Sequence, residues 1–129
     1  MSAMTDCFAN ALVGHVLQLT SYTAPSPWCG LFSTSPVDHS TCGTEVSGGN
    51  YTRMRVVNWD TASAGATENS SAVTFPQATA SYGVTAVGIF DGSAATASLL
   101  LYGALSASRS VAINDTFEIA ASSLDITFD

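Results

Sequence analysis

The sequence predicts a mainly β domain, an antiparallel sandwich or barrel of jelly-roll type carrying one N-terminal α-helix. Three observations predict it. About seven short apolar or alternating runs are separated by turn signals roughly every ten residues. Two of those runs are nearly continuous in apolar residues, as central strands covered on both faces should be. Only the first twenty residues repeat their apolar positions at helical spacing.

The helix is expected from about Thr5 to Leu19, where Met4, Phe8, Ala11, Leu12, His15 and Leu19 recur at steps of three and four. Val13, Val16 and Leu17 widen the apolar face, which suggests contact on more than one side. Pro25 and Pro27 exclude further helix. Trp28 to Ser33 reads as a strand between Pro27 and Pro36, and Thr34 to Asn50 as a long polar loop ending in Gly48 and Gly49. A loop of that length in a compact domain usually contacts something. Tyr51 to Trp59 reads as a strand placing Tyr51, Arg53, Arg55 and Val57 on one face. After a second polar loop, Val73 to Phe75 forms a short strand stopped by Pro76.

Val84 to Phe90 and Leu99 to Leu105 are the central strands, joined through the loop that begins at Asp91-Gly92. Phe117 to Ala121 and Leu124 to Phe128 alternate apolar with polar residues and read as two half-buried strands joined tightly. At 129 residues the chain has the size of one domain, with residues 1–24 as helix and linker and 25–129 as the β part.

Composition narrows the function. The chain is 47% hydrophobic and only 10% charged, against about 25% charged in ordinary domains, so Ser, Thr, Ala, Gly and Asn must cover much of its surface. Such a surface loses little hydration energy when it is covered by a neighbour. Ten carboxylates face three arginines, a net charge of −7, which disfavours any nucleic-acid partner. The segment from Phe8 to Leu19 is broken by Asn10, His15 and Gln18 and lacks a basic leader, so neither a signal peptide nor a membrane span is expected. Three cysteines cannot all pair within one chain, and they suggest a protein made in a reducing cytoplasm.

No catalytic, cofactor or metal site is expected. His15 falls on the apolar side of the helix, where a buried imidazole with one hydrogen-bond partner is the ordinary outcome, and His39 falls in a polar loop. The sequence has no Gly-x-Ser-x-Gly elbow. Cys29, His39 and Cys42 match no zinc pattern, so Cys7 and Cys29 are expected to be small core residues and Cys42 a loop thiol. Arg53 and Arg55 have two open readings: a solvated strand face, or a pair that binds acidic groups of an adjoining copy.

The ordered motifs resemble a family of small tailed-phage virion proteins labelled tail-fibre-like. They are the N-terminal helix, Leu31-Phe32-Ser33 with Pro36, Gly43 through Arg53, Val73-Thr74-Phe75-Pro76, Val87 through Asp91, Tyr102-Gly103-Ala104-Leu105 and Leu124 through Asp129. The resemblance implies a virion structural role and brings no catalytic residues with it. A fibre shaft is built from heptads or repeats, and the sequence has neither. The favoured expectation is therefore a non-enzymatic capsid decoration or cement protein outside the major capsid protein, self-associated, with a homotrimer as one arrangement. The alternative is a tail-associated adhesin that stacks host glycans on Trp28, Tyr51, Trp59 or Tyr82. Phe8, Leu12, Val16, Glu45, Tyr51, Arg53 and Arg55 are the candidate interface residues.

Overall fold

A computed structural model describes residues 3–37 and 43–128. In chain order its elements are β1 (Ala3–Met4), α1 (Asp6–Val16), β2 (Trp28–Thr34), β3 (Thr44–Glu45), β4 (Met54–Arg55), β5 (Ala66–Glu68), β6 (Val73–Thr74), β7 (Tyr82–Phe90), β8 (Leu99–Val111), β9 (Glu118–Ile119) and β10 (Asp125–Thr127). The main sheet runs β1-β8-β7-β2-β3, with β4 also paired to β2; β5 pairs with β10, and β6 with β9. Every pairing is antiparallel. The architecture is the mainly β, sandwich-like fold that the sequence predicts.

Alternation along β2, β7 and β8 builds the two faces of the sheet. Cys29, Leu31, Ile89 and Leu101 join Val73, Phe75, Ile119, Leu124 and Ile126 in the main core, so the two short ladders form the second layer. Phe32, Ala86, Phe90 and Leu99 form a smaller cluster apart from it, supported by Trp28, Ala97 and Tyr102. Gly30 and Gly88 lie opposite each other in register. A Cβ on Gly30 would stand 2.6 Å from the Phe90 ring, and one on Gly88 would stand 2.8 Å from Phe32, so these glycines make room for the stacked Phe32 and Phe90 rings.

Thr5 fastens the helix to the sheet. Its Oγ1 caps α1 by accepting from the Phe8 N–H at 3.4 Å, and donates to the Leu99 carbonyl at 2.8 Å. Phe8 is buried and packs its ring against Tyr22 and Phe128, while Leu12 is half-buried against the core. The helix stops at Val16, short of the expected Leu19, because Gln18 turns left-handed and the Leu19 and Thr20 N–H groups return to the Gly14 carbonyl. The broad apolar face does not sink into a groove of its own chain: Val13, Val16, Leu17 and Leu19 are exposed.

Two further expectations are corrected. The segment from Tyr51 to Trp59 pairs as a strand only at Met54–Arg55; Arg55 stands opposite Trp28 and Arg53 lies over Phe90, so both arginines face the second cluster as expected, Arg53 buried and Arg55 exposed, whereas Tyr51 leaves that face and packs on the main core. The two C-terminal strands follow each other through the short turn closed by the Ser123 N–H on the Ala120 carbonyl, and pair with β6 and β5 respectively. Cys7 and His15 are exposed on the helix, with His15 Nδ1 accepting from the Tyr22 N–H; Cys29 is buried as expected. His39 and Cys42 lie outside the described residues.

Candidate functional site

The densest polar constellation surrounds Arg53, whose side chain is only 7% exposed. Its Nε donates to Glu45 Oε1 at 2.8 Å and its Nη2 to Glu45 Oε2 at 2.7 Å, a two-pronged ion pair. Nη1 donates to the carbonyls of Ala94 at 2.7 Å and Gly92 at 3.2 Å. The guanidinium carbon sits 3.5 Å from the centre of the Phe90 ring, a cation–π contact on the second face of the sheet. Sequence spacing alone cannot show that the chain doubles back to bring Glu45 under Arg53.

Tyr51 completes the node. The outer edge of β2 is covered by β4 at Trp28–Cys29 and by β3 at Phe32 and Thr34, which leaves the Leu31 N–H between them without a strand partner. It donates instead to the Tyr51 hydroxyl at 2.9 Å, and that hydroxyl donates to Glu45 Oε1 at 2.8 Å. A side chain thus replaces a missing strand carbonyl and satisfies a buried donor. Burial pushes the Tyr51 phenol well above its ordinary range, more than the Leu31 bond lowers it. The phenol stays protonated and serves as a fixed hydrogen-bond relay.

Chemically, the node can hold three loops together. Its cation is fully engaged by two carboxylate oxygens and two carbonyls, and every group belongs to one chain. Of the candidate interface residues, Glu45, Tyr51 and Arg53 meet here, whereas Phe8 and Leu12 pack under the helix. Val16 and Arg55 are exposed elsewhere. The proposed glycan-stacking aromatics Trp28, Tyr51, Trp59 and Tyr82 are half-buried and pack against the two core clusters. Among the described residues no group of three His, Cys, Asp or Glu side chains is arranged to hold a metal ion, and no helix is long and apolar enough to cross a membrane.

Asn69 is a second buried anchor that sequence reasoning missed. Its Nδ2 donates to the carbonyls of Ser71 and Ala120, and its Oδ1 accepts from the Leu124 N–H at 2.8 Å. One amide therefore ties the C-terminal segment to the middle of the chain. In sequence, Asn69 stands out only as part of Asn69-Ser70-Ser71, a glycosylation pattern whose asparagine is here fully buried.

A family model described as podophage GP4 fiber I protein gp80 matches residues 3–127. The chain belongs to that family. As a member of the gp80 family it is a small tailed-phage virion protein of the fibre-labelled kind, in agreement with the ordered motifs of its sequence. No match was found among curated proteins.

Proposed function

We propose that this gp80-family chain is a non-enzymatic decoration protein, bound outside the major capsid protein and stabilising the phage head. The observation that carries this reading is the closure of the fold. β1 lies on the edge of the same sheet that holds β8, and β10 returns to pair with β5, so the described residues form a compact unit with no repeated shaft among them. A non-catalytic role is supported by the use of Arg53, Glu45 and Tyr51 on one another, with no substrate-facing group left over in the node. Many modest contacts, repeated over copies, would tie capsomers together through avidity. The excess of carboxylates favours a position away from packaged nucleic acid.

A second reading, a component of the tail fibre, is favoured by the description of the family itself. Copy number separates the two. Purified particles are quantified by gel or mass spectrometry against the major capsid protein. Decoration requires hundreds of copies per particle, and heads lacking the protein should lose heat resistance. A handful of copies, located at the tail, would overturn decoration in favour of the fibre.

A further inference from the structure

We propose that the open edge of β8 docks a second copy of this chain in a twofold contact, with Arg109 of each copy meeting Asp115 and Glu118 of the other. Strand β1 covers β8 only at Leu101 and Tyr102, with Thr5 bonded to Leu100 just beyond, and among the described residues nothing pairs with the outer edge past that point. On the inner side the ladder with β7 breaks between Val84 and Ala86, whose partners are Arg109 and Ala104. Four residues of β8, Leu105 to Ser108, therefore stand opposite Thr85 alone. A strand edge in this condition presents backbone donors and acceptors to any neighbour.

The edge overhangs a groove. Two adjoining cavities, of about 320 and 620 Å³, share Leu105, Ser106 and Ser123 and run between β8 and residues 115–126. Ser106, Ala107 and Ser110 on the β8 side of the groove are exposed, small and uncharged, so covering those three removes no ion from water.

Charge selects the occupant. Arg109, Asp115 and Glu118 line the same groove, yet among the described residues Arg109 forms no ion pair with either carboxylate, and Glu118 accepts from Thr74 instead. A basic partner would leave Arg109 opposed, and an acidic partner would leave both carboxylates opposed. A copy of the same surface, turned about a twofold axis, matches both signs at once. The contact refines the assembly role proposed above and rests on it for its setting. Its test uses purified protein and so fails or succeeds apart from copy number on particles.

The test is sedimentation and native mass spectrometry of the full chain. Wild type should form a dimer whose dissociation constant rises with salt. R109E should weaken it by about tenfold or more, and R109E/E118R should recover much of the loss. Because Arg109 is exposed, R109E should melt as wild type does, and the salt series needs no variant. A wild-type monomer at high concentration, a trimer, an R109E dimer as tight as wild type, or no recovery in the double variant would each overturn the twofold contact.

Discussion

Replacing Arg53 with methionine tests the central node. The substitution keeps an unbranched side chain that can lie on the Phe90 ring. It removes both bonds to Glu45 and both bonds to the Gly92 and Ala94 carbonyls. Deleting one member of a buried ion pair costs about 3–5 kcal/mol. Glu45 is 27% exposed and keeps the Tyr51 hydroxyl as a donor, so its stranded charge is partly solvated and the loss belongs at the low end, about 3 kcal/mol. For a chain of this size that lowers the melting temperature by roughly 10–15 °C. The assay is urea unfolding and thermal melting followed by circular dichroism, for R53M, E45M and the double variant. Removing both partners should cost less than the two single losses added together, since neither charge is then left alone. A loss below about 1 kcal/mol for R53M, or strict additivity in the double variant, would refute the idea that this pair fixes the loops.

Asn69→Ala strands the Leu124 N–H and leaves the Ala120 carbonyl with the Ser123 N–H alone, and should cost about 2–3 kcal/mol in urea unfolding, with faster hydrogen exchange at Leu124 as the local signature. Burial raises the Cys29 thiol from its ordinary 9.0 to about 12, and Tyr51 is raised as well. Between those limits the unfolded chain has released protons that the folded chain still holds, so stability is intact below about pH 9 and falls as pH rises, approaching about 1.4 kcal/mol per pH unit for each group. Urea titrations from neutral to alkaline pH should show this decline, shallower in Cys29→Ala; equal slopes would count against it. The Tyr82 hydroxyl is buried without a protein partner among the described residues. Tyr82→Phe should therefore change stability by no more than about 0.5 kcal/mol, or increase it, and a larger loss in thermal melts would show that the hydroxyl is engaged.

The parts of the fold that were legible in the sequence are those whose signal is local. Val84–Phe90 and Leu99–Leu105 announce themselves as covered strands because each is apolar on both faces, and they do pair through the Asp91 loop. The helix is legible from Phe8 and Leu12, but its end is not, since the left-handed turn at Gln18 depends on carbonyl capping that the apolar pattern ignores. The segment around Arg53 was legible in part, and for a physical reason. A two-residue period assumes a continuous ladder; it holds from Arg53 to Val56 but fails at Tyr51, whose ring packs on the main core while its hydroxyl stands in for a strand partner of Leu31. Glu45, Tyr51 and Arg53 could each be singled out as unusual residues in a chain so poor in charge. Their meeting within one chain is tertiary and left no local mark.

The same economy explains how so irregular a chain can be stiff. Six of its strands are only two or three residues long, apart from the two-residue β1, and such pairings close too few ladder bonds to hold long loops by themselves. Three side chains supply what is missing. Thr5 binds the helix to β8, Tyr51 with Arg53 and Glu45 binds the loops flanking β2 and β7, and Asn69 binds the C-terminal segment. Each satisfies buried backbone groups that would otherwise favour opening. A surface of small neutral residues held on such anchors can be covered by neighbours without first being ordered, and that lowers the entropy lost in each contact. In the assembly role proposed above, association would draw on preorganised shape more than on large apolar patches. The proposed contact therefore rests on the charges of the β8 groove, which have no ion-pair partner among the described residues, and not on the exposed aliphatic side chains of the helix, because opposed charges discriminate between neighbours where aliphatic contact does not.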